Sequence, residues 1–277
     1  HEVFISLPPR MKLDSYLSSI RENLFRKFWK LLKNPLKQSM DNPANSTACG
    51  RFAPSPTGPL HLGSLVTAMA SYLDVKSDNG RLWLRIEDSD SQRSKANFIG
   101  LIKQQLIDHG IIWDTWPNPD NKKEGVIYQS ERRRIYSYFM HFLISTERTF
   151  LCSCTRKSLL KQGDLTEYLK SGEIRYPQIC RNRKSGNLSH QKALRFKSTD
   201  GDDFVIRRLT TGDFSYAFTV VVDDYLQGVT KIVRGDDLKF TINRNRQVQA
   251  ILGFPFPKIL HVPVVRDSNG KKLSKAD

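Results

Sequence analysis

Acidic residues are in short supply in this 277-residue chain, where 28 Asp and Glu stand against 44 Lys and Arg for a formal charge of +16. The imbalance argues against the near-neutral surface of a typical metabolic enzyme and points to a polyanionic partner, without naming it. Long apolar runs are missing too. None approaches the roughly 20 residues that a membrane-spanning helix needs, so no membrane partner is expected. Cysteine is scarce, and three of the four, Cys152, Cys154 and Cys180, fall in one short region. A disulfide framework would scatter them, so reducing, cytoplasmic surroundings are expected. The sequence has neither a Walker loop nor a G-x-G-x-x-G fingerprint, and no internal repeat or low-complexity tract. Its length suits one large domain with a smaller insertion better than two independent domains, and a monomer is expected.

Residues 1–48 read as an extension. Leu13, Leu17, Ile20, Leu24, Phe28 and Leu31 make a helical stripe bordered by Arg21, Arg26, Lys27, Lys30 and Lys33, a basic amphipathic helix. Met40 and the polar DNPANSTAC would make a natural start just before the first strand of the main domain, and removing residues 1–39 is expected to leave function nearly intact. From Gly50, strand and helix alternate. A strand at Arg51 to Ala53 leads through PSPTGP into a helix carrying Leu65, Val66, Met69, Tyr72 and Leu73, which Asn79-Gly80 stops. LWLRIED reads as a strand, Phe98 to His109 as a helix, and Ile135, Tyr138, Phe139, Phe142 and Leu143 as a second amphipathic helix. FTVVVDD and VTKIVRG read as β-branched strands, Thr241 to Leu252 as a helix, and KILHVPVV as the last strand. This alternation predicts an α/β fold, a mainly parallel sheet with helices on both faces.

Arg51 to Ser64 joins a strand to a helix, the place where open parallel sheets bind ligands and where a helix N-terminus favours phosphate. Gly58 and Gly63 allow close approach of the backbone, three prolines stiffen the loop, and His61 can donate to a phosphate oxygen. The segment GRFAPSPTGPLHLGS resembles the HIGH-type signature of the glutamyl branch of class I aminoacyl-tRNA synthetases. His61 takes the first histidine position and Ser64 replaces the second. LRIEDSD is similar to the same family's RIEDTD, FSYAFTVVVDDYLQGVTKIVRGDDL to its second Rossmann half, and KKLSK, at Lys271 to Lys275, to its KMSKS loop.

The resemblance implies a class I Rossmann catalytic domain over residues 49–277 that activates L-glutamate with ATP and Mg2+. It implies glutamate binding by Arg51, Ala53, Ser55, Glu87, Tyr216 and Arg234, ATP binding by His61, Gly63 and Lys275, and catalysis by His61, Lys272 and Lys275. Arg51 offers a guanidinium fork for a carboxylate, Glu87 a partner for an ammonium, and the lysines neutralise departing pyrophosphate. The polyanion then becomes tRNA.

Cys152, Cys154 and Cys180 supply three soft ligands where a structural zinc site normally holds four. Generic chemistry offers His190 as the fourth, whereas the family resemblance points to Tyr176 in YPQIC. A structural Zn2+ is expected within an insertion at residues 147–200, with Gln178 standing where the family often has glycine. HLGSLVTAMASYL lacks the GGARTAL-like continuation of ordinary glutamate-charging members, and nothing like an anticodon-binding domain follows KKLSK. Both features favour a short branch whose acceptor is queuosine in the anticodon of tRNA(Asp). The rival readings are a catalytic fragment charging the 3′ end of tRNA(Glu), and a silent RNA-binding paralogue, against which His61, Glu87, Arg234 and Lys275 argue.

Overall fold

The first strand, β1 (Cys49–Phe52), is buried along its length and runs parallel to β2 (Arg81–Ile86) in the register Cys49↔Arg81 to Phe52↔Leu84. The computed structural model describes residues 48–116, 125–161, 175–183 and 191–268. The expected extension at 1–39, the KKLSK loop and His190 therefore lie outside the described residues, as does part of the insertion around the cysteines. Between β1 and β2, α1 (Leu62–Lys76) crosses back over the sheet. It lies close because residue 50 is glycine: a Cβ there would sit 2.4 Å from Val75 Cγ2. Asn79 adopts φ 52°, the left-handed turn after α1 that Asn tolerates better than most residues.

After β2, α2 (Asn97–Asp108) leads to β3 (Ile127–Tyr128), parallel to β2. Leu82, Leu84 and Ile86, alternate residues on one face of β2, pack with Ala68 of α1 and with Ile102 and Leu106 of α2; Trp83 and Arg85 leave the other face and are buried as well. On the other edge of β1 lies β7 (Lys231–Gly235), which pairs in parallel with β8 (Lys258–Val262). The Thr230 amide donates to Cys49 O at 2.8 Å, and the Cys49 amide to Thr230 Oγ1 at 3.0 Å. The spatial order is thus β3-β2-β1-β7-β8, with the carboxyl ends of β1 and β7 side by side.

A separate antiparallel sheet, β4 (Thr149–Cys152), β5 (Ala193–Phe196) and β6 (Val205–Arg208), occupies the middle of the chain. The short α4 (Arg156–Leu160) follows β4 and is capped by Thr155 and Ser158 in a reciprocal box. Behind the sheets, α3 (Arg133–Ser145), α5 (Tyr216–Leu226) and α6 (Thr241–Leu252) share an aromatic core of Tyr136, Phe139, Phe214, Phe218 and Phe254. No described helix is long and apolar enough to cross a membrane.

One element differs from the sequence reading. FTVVVDD is not a strand but lies inside α5, where Ala217 to Asp224 are all buried. A helix enclosed on every side is apolar all round, so its sequence loses the 3.6-residue signature, and packing outweighs the strand preference of Val and Thr. The change has a consequence for charge. It puts Asp223 and Asp224 in the last turn of a buried helix, where the helix dipole disfavours carboxylates.

Candidate functional site

The loop after β1 is held at several points. The Glu87 amide donates to Pro54 O at 3.0 Å and the Lys95 amide to Pro56 O at 2.9 Å. Gln105 of α2 accepts from the Leu60 amide at 2.8 Å and donates to Leu60 O at 3.1 Å. His61 is the N-cap of α1, its Nδ1 accepting from the Ser64 amide at 3.3 Å. In the neutral ring the proton then sits on Nε2, which makes that atom a donor at a helix N-terminus. A Cβ on Gly63 would come within 3.0 Å of His61 Cε1 and 3.6 Å of Val265 Cβ. The glycine therefore keeps the histidine close and brings the chain that precedes Lys272 and Lys275 beside the loop.

Beyond the carboxyl ends of β1 and β2 lies a cavity of about 750 Å³, whose lining includes Ser55, Glu87, Tyr216, Thr241, Cys154, Arg195 and Asp203. Ala53 stands directly after β1. Glu87 directly follows β2 and is buried, paired with Arg85 at 3.2 Å. Burial lifts its carboxyl to about 6, against the opposing pull of Arg85 and then Arg51. Tyr216 begins α5 and is partly buried, and burial, then Glu87, raises its hydroxyl pKa.

The two aspartates that α5 carries were not singled out from the sequence, and they organise this region. Asp224 Oδ1 accepts from Arg51 Nε at 3.2 Å and from Arg85 Nη1 at 2.7 Å. Asp223 accepts from Arg132 at 2.6 Å, Tyr136 at 2.7 Å and Gln129 at 2.9 Å. Three guanidiniums, of Arg51, Arg85 and Arg132, thus meet three carboxylates, those of Glu87, Asp223 and Asp224. An Asp-Asp pair closing a five-residue apolar run was the available signal, since buried carboxylates need cations.

Arg234 lies in β7 and is 5% exposed. Nη1 donates to Thr241 Oγ1 at 3.0 Å and to Asn245 Oδ1 at 3.5 Å, and Nε to His261 Nε2 at 3.4 Å. All three partners are uncharged: burial, then Arg234 and Lys239, hold the His261 pKa below its ordinary value. Nη2 is buried with no hydrogen-bond partner among the described residues. A buried charged donor left unpaired costs several kcal/mol by rough reckoning, so the site is built for an added acceptor.

Cys154, which lines the cavity, belongs to a triad whose sulfurs, those of Cys152, Cys154 and Cys180, lie within 4.8 Å of one another. Cys154 and Cys180 are 3.6 Å apart, and the Tyr176 hydroxyl stands 3.5 Å from Cys152 Sγ and 3.9 Å from Cys154 Sγ. A tetrahedral zinc with Zn–S bonds near 2.3 Å separates its ligands by about 3.8 Å. The triad could hold a metal, and Tyr176 stands at the open corner. Burial opposes ionisation at Cys180, yet hydrogen bonds from the Ser153 backbone and Tyr176 bring its thiol down to about 7. The Arg195 guanidinium stacks 4.0 Å from the Tyr176 ring centroid and holds it in place. Gln178 has φ 56°, a conformation that glycine adopts without strain.

The catalytic-domain model of class I tRNA synthetases (E and Q) matches residues 48–213 and 191–277. Curated relatives include a glutamyl-Q tRNA(Asp) synthetase of Thiobacillus denitrificans, 38% identical over 252 residues, covering 83% of this chain and 79% of that one. Another of the same name, from Vibrio parahaemolyticus, is 36% identical over 246 residues, covering 82% and 76%. Among solved structures, a glutamate tRNA ligase from Elizabethkingia meningosepticum in complex with its amino acid superposes with TM-score 0.65 at 27% identity, over 83% of this chain and 52% of that one. A glutamate-tRNA synthetase from Elizabethkingia anophelis gives 0.67 at 27%, over 83% and 53%. The chain spans about half the length of these two structures.

Proposed function

Because this chain belongs to the class I tRNA synthetases of the E and Q type, ligases that work with ATP and Mg2+, we propose that it activates L-glutamate and passes it to queuosine in the anticodon of tRNA(Asp). The observation that carries the amino-acid half is the unpartnered Nη2 of Arg234. In the cluster beside it, three guanidiniums balance three carboxylates when Glu87 is ionised, and Arg234 adds a positive charge with no acidic partner among the described residues. Glutamate brings two carboxylates and one ammonium, a net charge of −1. A site with one uncompensated cation, a second guanidinium at Arg51 and a carboxylate at Glu87 complements it group for group.

In this reading Arg234 and Arg51 take the carboxylates, Glu87 takes the ammonium, and Tyr216, Ser55 and Ala53 line the space between. The α-carboxylate attacks the α-phosphorus of ATP in line, pyrophosphate leaves, and glutamyl-adenylate remains. The chain would align two anions that otherwise repel, with His61 Nε2 and Gly63 at the phosphates, and the family resemblance adds Lys272 and Lys275 as the cations that neutralise them. Magnesium entering with ATP would supply further neutralisation of the phosphate charge. A hydroxyl of the queuosine cyclopentenediol then attacks the acyl carbon, forming the ester and releasing AMP.

Cys152, Cys154, Tyr176 and Cys180 would hold a structural zinc that braces the cavity wall at Cys154. The queuosine acceptor is supported by the names of the curated relatives and by the absence of a GGARTAL-like continuation after HLGS. The protein would act as a monomer in the cytoplasm. Exchange of labelled pyrophosphate into ATP, without tRNA, tests the activation step. Exchange that requires glutamate supports it, and none with glutamate present, with or without tRNA, sinks it.

A further inference from the structure

We propose that Arg85 and Asp224 are positioning residues of the amino-acid pocket, a rigid bridge that fixes Arg51 and Glu87 at the spacing their substrate groups require. The inference rests on the glutamate-binding reading above, and deepens it. Arg85 lies on β2 two residues before Glu87, which continues directly from the strand, and the 3.2 Å contact between them puts both side chains on the same side. It is fully buried. Its Nη1 donates to Asp224 Oδ1 at 2.7 Å and to Gln227 Oε1 at 3.0 Å, and its Nη2 donates to Glu87 Oε1 at 3.2 Å. The same Asp224 oxygen accepts from Arg51 Nε at 3.2 Å. One continuous chain of charge-assisted bonds therefore runs Arg51–Asp224–Arg85–Glu87, from β1 through α5 to β2.

Fold stability does not account for this bridge. A buried ionic network of this size is matched or exceeded in stability by apolar side chains of equal volume. Both ends of the bridge are the groups that meet substrate. The forked guanidinium is also the part that lysine cannot replace, because one ammonium does not span Asp224 and Glu87 in fixed directions. The bridge sets charge as well as position. The groups facing Glu87 are Arg85 on β2, Arg51 on β1, and Asp224 and Tyr216 on α5. The arginines favour the carboxylate and Asp224 opposes it.

Two variants give opposite signs. With Arg85→Lys, the KM for glutamate in pyrophosphate exchange should rise at least tenfold while the KM for ATP stays within twofold. The acid limb of kcat/KM for glutamate should move up towards neutral pH. With the isosteric Asp224→Asn, the glutamate KM should rise as well, but the acid limb should move down. A residue that only supports the fold would lower yield and melting temperature without moving that limb. Carbon-13 NMR of the Glu87 carboxyl reads the same coupling without turnover, upward in Arg85→Lys and downward in Asp224→Asn. Folded variants with an unchanged glutamate KM and an unmoved Glu87 titration overturn the inference. Opposite NMR shifts in the two variants, alongside a wild-type protein that performs no exchange, would uphold the bridge and sink the functional reading alone. If Arg85→Lys fails to fold, Asp224→Asn decides by itself.

Discussion

Glu87 receives the Nη2 donor of Arg85 at 3.2 Å and yet, being buried, holds its proton up to about pH 6. Desolvation outweighs the ion pair. Since only the carboxylate attracts an ammonium, kcat/KM for glutamate should fall as pH drops through about 6, while the KM for ATP does not follow it. The effect on stability has its own sign. The folded pKa lies above the ordinary 4.5, so folding takes up a proton between the two values. Stability present below pH 4.5 is lost as pH rises through 6, by about 2 kcal/mol at 1.36 kcal/mol per unit. Glu87→Gln should therefore melt at least as high as wild type at pH 7.5 while losing glutamate activation. A melting temperature several degrees lower would mean that the Arg85 pair dominates instead.

Arg234 should behave differently, because its value lies in a bond not yet made. Arg234→Leu removes the unpartnered Nη2 together with the bonds to Thr241, Asn245 and His261, so the free protein should lose some stability and glutamate binding should lose more. Removing one side of a buried charged contact costs roughly 2–5 kcal/mol in binding, so the glutamate KM should rise by at least about 30-fold. Titration calorimetry with glutamate and pyrophosphate exchange at saturating ATP check the same number. Unchanged glutamate affinity would remove Arg234 from the pocket.

Much of this site was legible in the sequence because its parts are local. Arg51, Ser55, His61 and Gly63 share one strand-loop-helix segment, Glu87 directly follows a strand whose apolar run declares it, and the Cys152-Ser-Cys154 spacing declares itself. What stayed hidden depends on distance or on burial. Asp223 and Asp224 were masked by a Val-rich helix that reads as a strand when its tertiary enclosure is unknown. Arg85 alternates with apolar neighbours as any strand residue does, and its bonds reach 139 and 142 residues along the chain, to Asp224 and Gln227. His261 meets Arg234 across the β7–β8 pair, a contact set by strand register and by nothing local.

The cysteine site yields a prediction independent of turnover. Purified protein should carry about one zinc per chain, a structural stoichiometry for four ligands. Cys154→Ser should lose it, and Tyr176→Phe should keep the fold of the Rossmann sheet but release zinc to a chromogenic chelator at least tenfold more readily. Wild-type protein prepared without chelator and containing no zinc would contradict the assignment. Equal zinc retention in Tyr176→Phe would return the fourth position to another residue.

The choice of acceptor is the claim on which the rest converges, and transfer of labelled glutamate measures it. The protein, ATP and [14C]glutamate are incubated with tRNA(Asp) carrying queuosine, with the same tRNA lacking queuosine, and with tRNA(Glu). The account predicts acid-precipitable label on the first alone, recovered on the anticodon fragment after ribonuclease digestion. Label on the 3′-terminal adenosine of tRNA(Glu), with none on queuosine-bearing tRNA(Asp), would contradict it.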